Sequence, residues 1–174
     1  MKMAGSRRSR ILLGAGGAPA LAAPLVYNGA TMFNPSREEV RRFFCEAWQK
    51  QIAGSVLTPL EVIAVDWIGE HPEYHDLLRD TEGALTQDYT PEQGQTNPFL
   101  HLAMHLSISE QVSVDQPRGI REAYEALVRR LDSPHEAQHQ VMECLGEMLW
   151  QAQRSGLPPD GEQYVDSVRR RAMR

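Results

Sequence analysis

Apolar residues recur three and four positions apart through most of the chain after Met32, which is the spacing of one face of an α-helix. At four places such a run follows a Ser, Thr or Asn with a proline next to it or a glutamate three residues later. Both arrangements are typical of a helix N-terminus. Strand-like alternation of apolar and polar residues does not compete with this pattern. The sequence therefore predicts an all-α fold, a single compact bundle of five or six helices.

The capping signals place these helices along the chain. Helices are predicted to begin after four capping residues: Ser36, Thr58, Asn97 and Ser133. Two further segments of helical pattern span residues 118–131 and 161–172. The second helix is predicted to end at Glu70-His71-Pro72, because proline disfavours helical backbone at the residue before it. Residues 81–95, which are rich in glycine and acids, are predicted to form the one long loop.

The first 31 residues differ in character from the rest. They are basic, then rich in Gly, Ala and Pro, and prolines break their weakly apolar stretch. We expect them to be an N-terminal extension that does not fold, disordered or cleaved, so that residues 32–174 form the helical domain. One origin is an upstream start codon, with Met32 the true first residue. The other is an export signal, with a twin-arginine-like Ser6-Arg7-Arg8 and a small-residue cleavage site at Ala20-Leu21-Ala22.

Charge and cysteine content indicate which kinds of partner and which cellular compartment to expect. Four of the 18 basic residues lie in the first 31 positions, which hold no acid, so 14 basic residues face 23 acidic ones in residues 32–174. This negative excess repels phosphate backbones and anionic lipid, so nucleic-acid and membrane partners are not expected. Two cysteines are too few for a disulfide framework, which favours a reducing, cytoplasmic location. An exported protein is the alternative if the extension is a genuine signal.

Several blocks of the sequence resemble a known family. The blocks are Met32-Phe33-Asn34-Pro35-Ser36-Arg37, Glu70-His71-Pro72-Glu73-Tyr74-His75, Gly94-Gln95-Thr96-Asn97-Pro98-Phe99-Leu100-His101 with His105, and Met142-Glu143-Cys144-Leu145-Gly146-Glu147. They are similar to a small bacterial family, the domain of unknown function 1841, over nearly all of residues 32–174. Members of that family typically begin at the equivalent of Met32, which implies that the extension is peculiar to this chain. The family carries no established activity, so the resemblance implies a domain boundary and no mechanism.

All six histidines fall into pairs four residues apart. The pairs are His71 and His75, His101 and His105, and His135 and His139. Four residues make about one helical turn, so both imidazoles of a pair lie on one face and can reach a single divalent ion. The helix after Asn97 is apolar nearly all round, so its two histidines are expected to be buried and to need a hydrogen bond or a metal. The pair at 71 and 75 fits less well, since Pro72 interrupts it; a histidine there can instead bond the last carbonyls of a helix.

We therefore predict a divalent-metal site between facing helices. Its predicted ligands are five histidines and one glutamate: His101, His105, His135, His139, His75 and Glu143. Glu147 and Glu110 are further candidates. Mixed histidine and carboxylate ligands suit iron, manganese or zinc. The sequence contains no phosphate loop or dinucleotide fingerprint, so no nucleotide cofactor is expected.

Two other functions stay open. One is a metal-free interaction or adaptor module, whose histidines form a polar core and whose acidic surface binds a protein partner or a second copy of the chain. The other is a zinc hydrolase, because His135-Glu136-Ala137-Gln138-His139 matches H-E-x-x-H. Glu136 is also the third residue after Ser133, where a capping box explains it. Whether the protein is an enzyme is therefore not decided by its sequence.

Overall fold

The computed structural model describes residues 35–89 and 97–174. These two ranges hold eight α-helices, one short 3-10 helix and no strand. In chain order the elements are α1 (Arg37–Ile52), α2 (Pro59–Gly69), the 3-10 helix (Pro72–Tyr74), α3 (His75–Arg79), α4 (Thr81–Thr86), α5 (Pro98–Val114), α6 (Ile120–Leu131), α7 (Pro134–Ser155) and α8 (Gly161–Ala172). The all-α prediction is confirmed, although the helices outnumber the five or six predicted. The N-terminal extension lies outside the described residues, and none of the described helices is both long and apolar enough to cross a membrane.

The additional helices are α3, for which no element was predicted, and α4, which lies in part of the predicted long loop. The loop prediction was wrong for Thr81–Thr86, and positions 90–95 fall outside the described ranges. The buried guanidinium of Arg41 donates hydrogen bonds to the carbonyl oxygens of Ala84 and Leu85, at the end of α4. Because Arg41 belongs to α1, this stabilisation is tertiary and gives no local signal in the sequence.

The four predicted capping residues stand at the starts of α1, α2, α5 and α7, as expected. Ser36 and Thr58 each form a complete capping box at the start of α1 and α2. Asn97 accepts two backbone N–H groups of the first turn of α5, and Ser133 accepts one from the first turn of α7. Such a cap contributes about 1 kcal/mol to helix stability. The caps fix where α5 and α7 begin, and therefore where their histidines lie.

The buried apolar residues form two clusters, and α5 contributes to both. The first cluster joins α1 to α4 with the N-terminal half of α5, including Leu102. The second joins the later part of α5, including Ile108, with α6, α7 and α8. Each cluster contains one of the two cysteines, Cys45 and Cys144, both buried free thiols. The helix α5 is therefore covered on both sides, which explains why it is apolar nearly all round.

Candidate metal centre

Five of the six histidines converge beside α5, the helix shared by the two apolar clusters. His101 and His105 lie on α5, His135 and His139 lie in the first two turns of α7, and His71 follows the end of α2. The two side chains of each helical pair lie on the same face of their helix, because four residues make about one turn. His71 arrives differently: the proline after it stops the helix, and its backbone is non-helical, with φ −124° and ψ 66°. Two helix faces and one helix end thus meet at one place.

The Nε2 atoms of these five histidines lie next to one another. Nε2 of His105 is 3.0 Å from Nε2 of His71 and 3.0 Å from Nε2 of His101. Nε2 of His101 is 3.2 Å from that of His139, and Nε2 of His71 is 3.2 Å from that of His135. One ring nitrogen from each of His71, His105, His135 and His139 lies within 4.8 Å of the other three. The five nitrogens form an unbroken chain of four contacts, in the order 135, 71, 105, 101, 139.

Hydrogen bonds alone do not account for this chain of contacts. An imidazole nitrogen has one in-plane site, either a hydrogen or a lone pair, so it takes part in one well-formed hydrogen bond. The three middle nitrogens, those of His71, His105 and His101, each have two neighbours. Four contacts along five such atoms therefore accommodate at most two hydrogen bonds, whatever protonation states the rings take. The other two contacts bring together nitrogens that are not hydrogen-bonded to each other, unless a cation lies between the rings.

The outward-facing nitrogen of His71 shows which atom carries its proton. His71 Nδ1 lies 2.9 Å from a carboxylate oxygen of Glu73. Partial burial raises the pKa of Glu73, but the hydrogen bond from His71 lowers it and the net shift of the pKa is downward. An ionised carboxylate only accepts, so Nδ1 of His71 donates. In the neutral ring the lone pair is then on Nε2 and faces the cluster, which is the arrangement usual for metal-binding histidines.

His105 is held in the same tautomer by hydrogen bonds that begin at Trp67. The indole N–H of Trp67 donates to Ser109 Oγ at 2.8 Å, and the Ser109 hydroxyl donates to the His105 carbonyl oxygen at 3.0 Å. Ser109 can then only accept from Gln138, whose Nε2 lies 3.0 Å away. The amide oxygen of Gln138 is thereby turned towards His105 Nδ1, at 3.0 Å. Nδ1 of His105 carries the proton, and its Nε2 presents a lone pair to the cluster.

The cluster is buried on one side. His71 is 3% exposed and His105 is 0% exposed. The Trp67 ring stacks on His105, with centroids 4.3 Å apart, and the Tyr74 ring stacks on His71 at 5.3 Å. The other three histidines are half-buried. The approach from solvent is therefore on the side of those three rings.

Burial favours the neutral form of three of the imidazoles. It lowers the pKa of His105 to about 3. It also lowers the pKa of His101 to about 4, with a smaller contribution from the neighbouring His71. Burial is again the main reason that the pKa of His139 is lowered. These rings are uncharged at pH 7, which is the form in which imidazole binds a metal.

Two of the predicted ligands lie outside the cluster and have partners of their own. His75 Nε2 lies 2.9 Å from the carbonyl oxygen of Ile68, and its ring packs on Trp48 with centroids 4.3 Å apart. His75 thus bonds a carbonyl oxygen near the end of α2, which is the alternative to metal binding that the sequence allowed for this pair of histidines. Glu143 forms an ion pair with Arg171 of α8, at 2.5 Å. The structure therefore brings together four of the six predicted ligands.

The two further candidate glutamates also stand apart from the five histidines. Glu147 is exposed and accepts a hydrogen bond from Gln151. Glu110 is half-buried, and burial raises its pKa. Neither has a contact with the cluster among the interactions of the described residues. The cluster is therefore composed of imidazoles, with carboxylates only outside it.

His71 belongs to the cluster although it was not among the predicted ligands. The four-residue spacing favoured treating the 71 and 75 positions as one weak helical pair, and Pro72 breaks that pair. The useful signal was the His-Pro dipeptide at a helix end, because a residue before proline turns out of the helix. Such a turn can aim a side chain at a neighbouring helix, but it does not show which one.

The H-E-x-x-H segment contributes its two histidines to the cluster, while its glutamate lies outside. Glu136 is exposed, and its carboxylate accepts from Gln140 at 3.5 Å. Ser133 Oγ accepts the N–H of Glu136 at 3.1 Å, but the return bond of the predicted capping box is absent between these two described residues. A catalytic zinc site keeps three protein ligands and a water. Here five imidazoles meet, which is a different arrangement.

Comparison with known proteins gives a family and no mechanism. The family described as "Domain of unknown function (DUF1841)" matches residues 36–170, a range that includes every histidine of the cluster. No curated protein and no solved structure matches the chain. The chemistry of the cluster is therefore argued from its geometry.

Proposed function

We propose that this chain, which belongs to the family of the domain of unknown function DUF1841, is a protein that binds one divalent transition-metal ion. In this proposal the ligands are five Nε2 atoms, those of His71, His101, His105, His135 and His139. The observation that carries the proposal is the chain of four Nε2 contacts, of which at most two can be hydrogen bonds. One ion bound to all five lone pairs accounts for every contact at once. His101 is not among the four histidines whose nitrogens all lie within 4.8 Å of one another, and it is included because of its contacts with His105 and His139.

The separations of the nitrogens favour a particular coordination geometry. Two nitrogens bound at about 2.1 Å lie about 3.0 Å apart at a right angle and about 3.4 Å apart at the tetrahedral angle. The four separations here are 3.0, 3.0, 3.2 and 3.2 Å. Two of them equal the right-angle value and two lie midway between the two values. Together with a donor number of five, which exceeds the four of a tetrahedral site, they support an octahedral or square-pyramidal ion.

The donor set narrows the choice of ion. Imidazole suits iron, nickel, copper and zinc, whereas magnesium, calcium and manganese prefer oxygen ligands. Of iron, manganese and zinc, which the sequence predicted together, iron fits best, because it takes imidazole donors and accepts right-angled coordination. Iron is therefore the ion that we propose first, and nickel and copper have a similar preference for imidazole ligands.

A metal-free polar core is the competing explanation of the same residues. It would need protons to separate the facing nitrogens, which means charged imidazolium rings inside the cluster. Burial disfavours the charged form, as the lowered pKa values of His101 and His105 indicate. No observation on the described residues favours the adaptor function in particular.

The proposal is tested by metal binding to the untagged full-length protein. After chelator treatment and dialysis, the apoprotein is titrated with ferrous iron under nitrogen, and with nickel in parallel, by calorimetry. We expect one ion per chain. His139→Ala removes a half-buried ligand and should weaken binding at least tenfold, whereas His105→Ala also removes a fully buried side chain and can cost stability.

His75→Ala provides the matched control, since it removes an imidazole that lies against Trp48 and outside the cluster. Its stoichiometry and affinity should equal those of the parent protein. Absence of binding to the parent protein, or an equal loss of binding in His75→Ala and His139→Ala, would contradict the proposal.

A further inference from the structure

We infer that the metal-loaded centre takes a small exogenous monoanion as a sixth ligand, on the side of the half-buried histidines. This inference rests on the proposed metal site and adds to it the class of molecule that the site receives. Three features of the described residues carry it: the number of protein ligands, their charge and the side on which they are exposed.

The first feature is that five protein ligands, four pairs of which are spaced for angles of about 90°, leave one corner of an octahedron. For bonds of about 2.1 Å, separations of 3.0 to 3.2 Å correspond to angles of about 90 to 100°. Angles of this size are those between neighbouring corners of an octahedron. The remaining candidate donors are engaged elsewhere, since Glu143 pairs with Arg171 and His75 bonds the Ile68 carbonyl oxygen. The sixth position therefore has no protein ligand among the described residues.

The second feature is charge. An imidazole bound to a metal is an uncharged donor, so a first shell of imidazoles contributes nothing to offset two positive charges. Two carboxylates contact the rings from the side facing away from the cluster: Glu73 bonds Nδ1 of His71, and Glu70 lies 3.8 Å from Nδ1 of His135. Their side chains are 56% and 59% exposed, so solvent screens them. A centre with this excess of positive charge in a partly desolvated place attracts an anion.

The third feature is the direction of access. His71 and His105 are buried, and Tyr74 and Trp67 stack on their rings. Access is therefore confined to the side of His101, His135 and His139. These rings are close together, with centroids 4.4 Å apart for His135 and His139 and 5.1 Å apart for His101 and His139. Rings this close touch one another, so a ligand that reaches the metal on this side must be an ion of a few atoms and not a bulky group.

The test uses the full-length protein loaded with cobalt(II), whose visible absorption reports its coordination, and azide as the anion. We expect azide to change the spectrum saturably and the metal to remain bound after gel filtration. Glu73→Gln removes one negative charge, while the glutamine oxygen still accepts the Nδ1 proton of His71. Azide should bind this variant about fivefold more tightly, because a negative charge that repels the anion over several ångströms in a medium of intermediate dielectric constant is removed.

Glu162→Gln is the control for charge, because this exposed residue of α8 lies in a groove with Arg118 and Arg169 and not with the histidines. It should bind azide as the parent protein does. If cobalt binds but azide leaves the spectrum unchanged, or strips the metal, the sixth-ligand inference is overturned while the metal site stands. If Glu73→Gln and Glu162→Gln behave alike, the charge argument is overturned. Failure of cobalt itself to bind would instead contradict the proposed function.

Discussion

The Nε2 atoms of His71 and His105 face each other at 3.0 Å, although both rings use Nδ1 to donate to an oxygen. In neutral rings this brings two lone pairs together in a buried place, where their repulsion is poorly screened. The protein without metal should therefore have a lower free energy of unfolding than the metal-loaded protein. The difference should exceed the one caused by removing an ion bound at the surface.

The first prediction concerns metal removal. A chelator should lower the melting temperature of the parent protein by several degrees, because a ligand at a hundredfold excess over its Kd stabilises the folded state by about 2.7 kcal/mol. The chelator should lower the melting temperature of His139→Ala by less, because weaker binding stabilises the folded state less. The measurement is thermal unfolding followed by circular dichroism. A parent protein indifferent to chelation would count against a bound ion.

A second prediction concerns Gln138, whose amide oxygen accepts the Nδ1 proton of His105. Gln138→Leu removes this acceptor, so the metal affinity should fall by about 10 to 100-fold, as for other partners of metal-binding histidines. Gln138→Glu keeps an acceptor at the same place and should retain most of the affinity. Calorimetric titration of both variants measures the difference. If Gln138→Glu binds as weakly as Gln138→Leu, tautomer control by this residue is refuted.

A third prediction separates the metal centre from a zinc protease. Glu136 is exposed and bonds Gln140, so Glu136→Gln should change neither the stoichiometry nor the affinity for metal. A hydrolase of the H-E-x-x-H type would need this carboxylate to activate water. The measurement is peptidase activity of the zinc-loaded protein beside the calorimetric titration. Peptidase activity that vanishes in Glu136→Gln would favour the hydrolase.

A fourth prediction concerns the start of α7. Ser133→Ala removes the side chain that accepts the N–H of Glu136, and should lower the free energy of unfolding by about 1 kcal/mol. Denaturant unfolding measures this loss. Metal binding should persist, because later turns of α7 and its packing on α5 hold His139 in place. A loss of more than a few kcal/mol would mean that the cap also supports the histidines.

Local chemistry explains which parts of this fold the sequence could predict. Ser36 and Thr58 signal helix starts through bonds that span three residues, so the predicted starts of α1 and α2 match the structure. The helix α4 was not predicted, since the Arg41 side chain that bonds its carbonyl oxygens comes from α1. Contacts over more than 40 residues leave no pattern in a single sequence.

The same limit applies to the candidate site. The four-residue spacing places His101 with His105 and His135 with His139, because residues about one helical turn apart lie on the same face. It does not show that Arg171, from another helix, pairs with Glu143. Nor does it show that His71 reaches the cluster from a helix end while His75 turns to Trp48. Spacing predicts which side chains share a face, and tertiary packing decides what that face meets.

X-ray absorption spectroscopy of the full-length protein loaded with one equivalent of iron tests the central claim most directly. We predict five nitrogen scatterers at about 2.0 to 2.3 Å with the outer-shell signature of imidazole, and one imidazole fewer in His71→Ala. The same spectrum from His75→Ala should equal that of the parent protein. A first shell of carboxylate oxygens with two or fewer imidazoles, or no change on replacing His71, would contradict the five-histidine site.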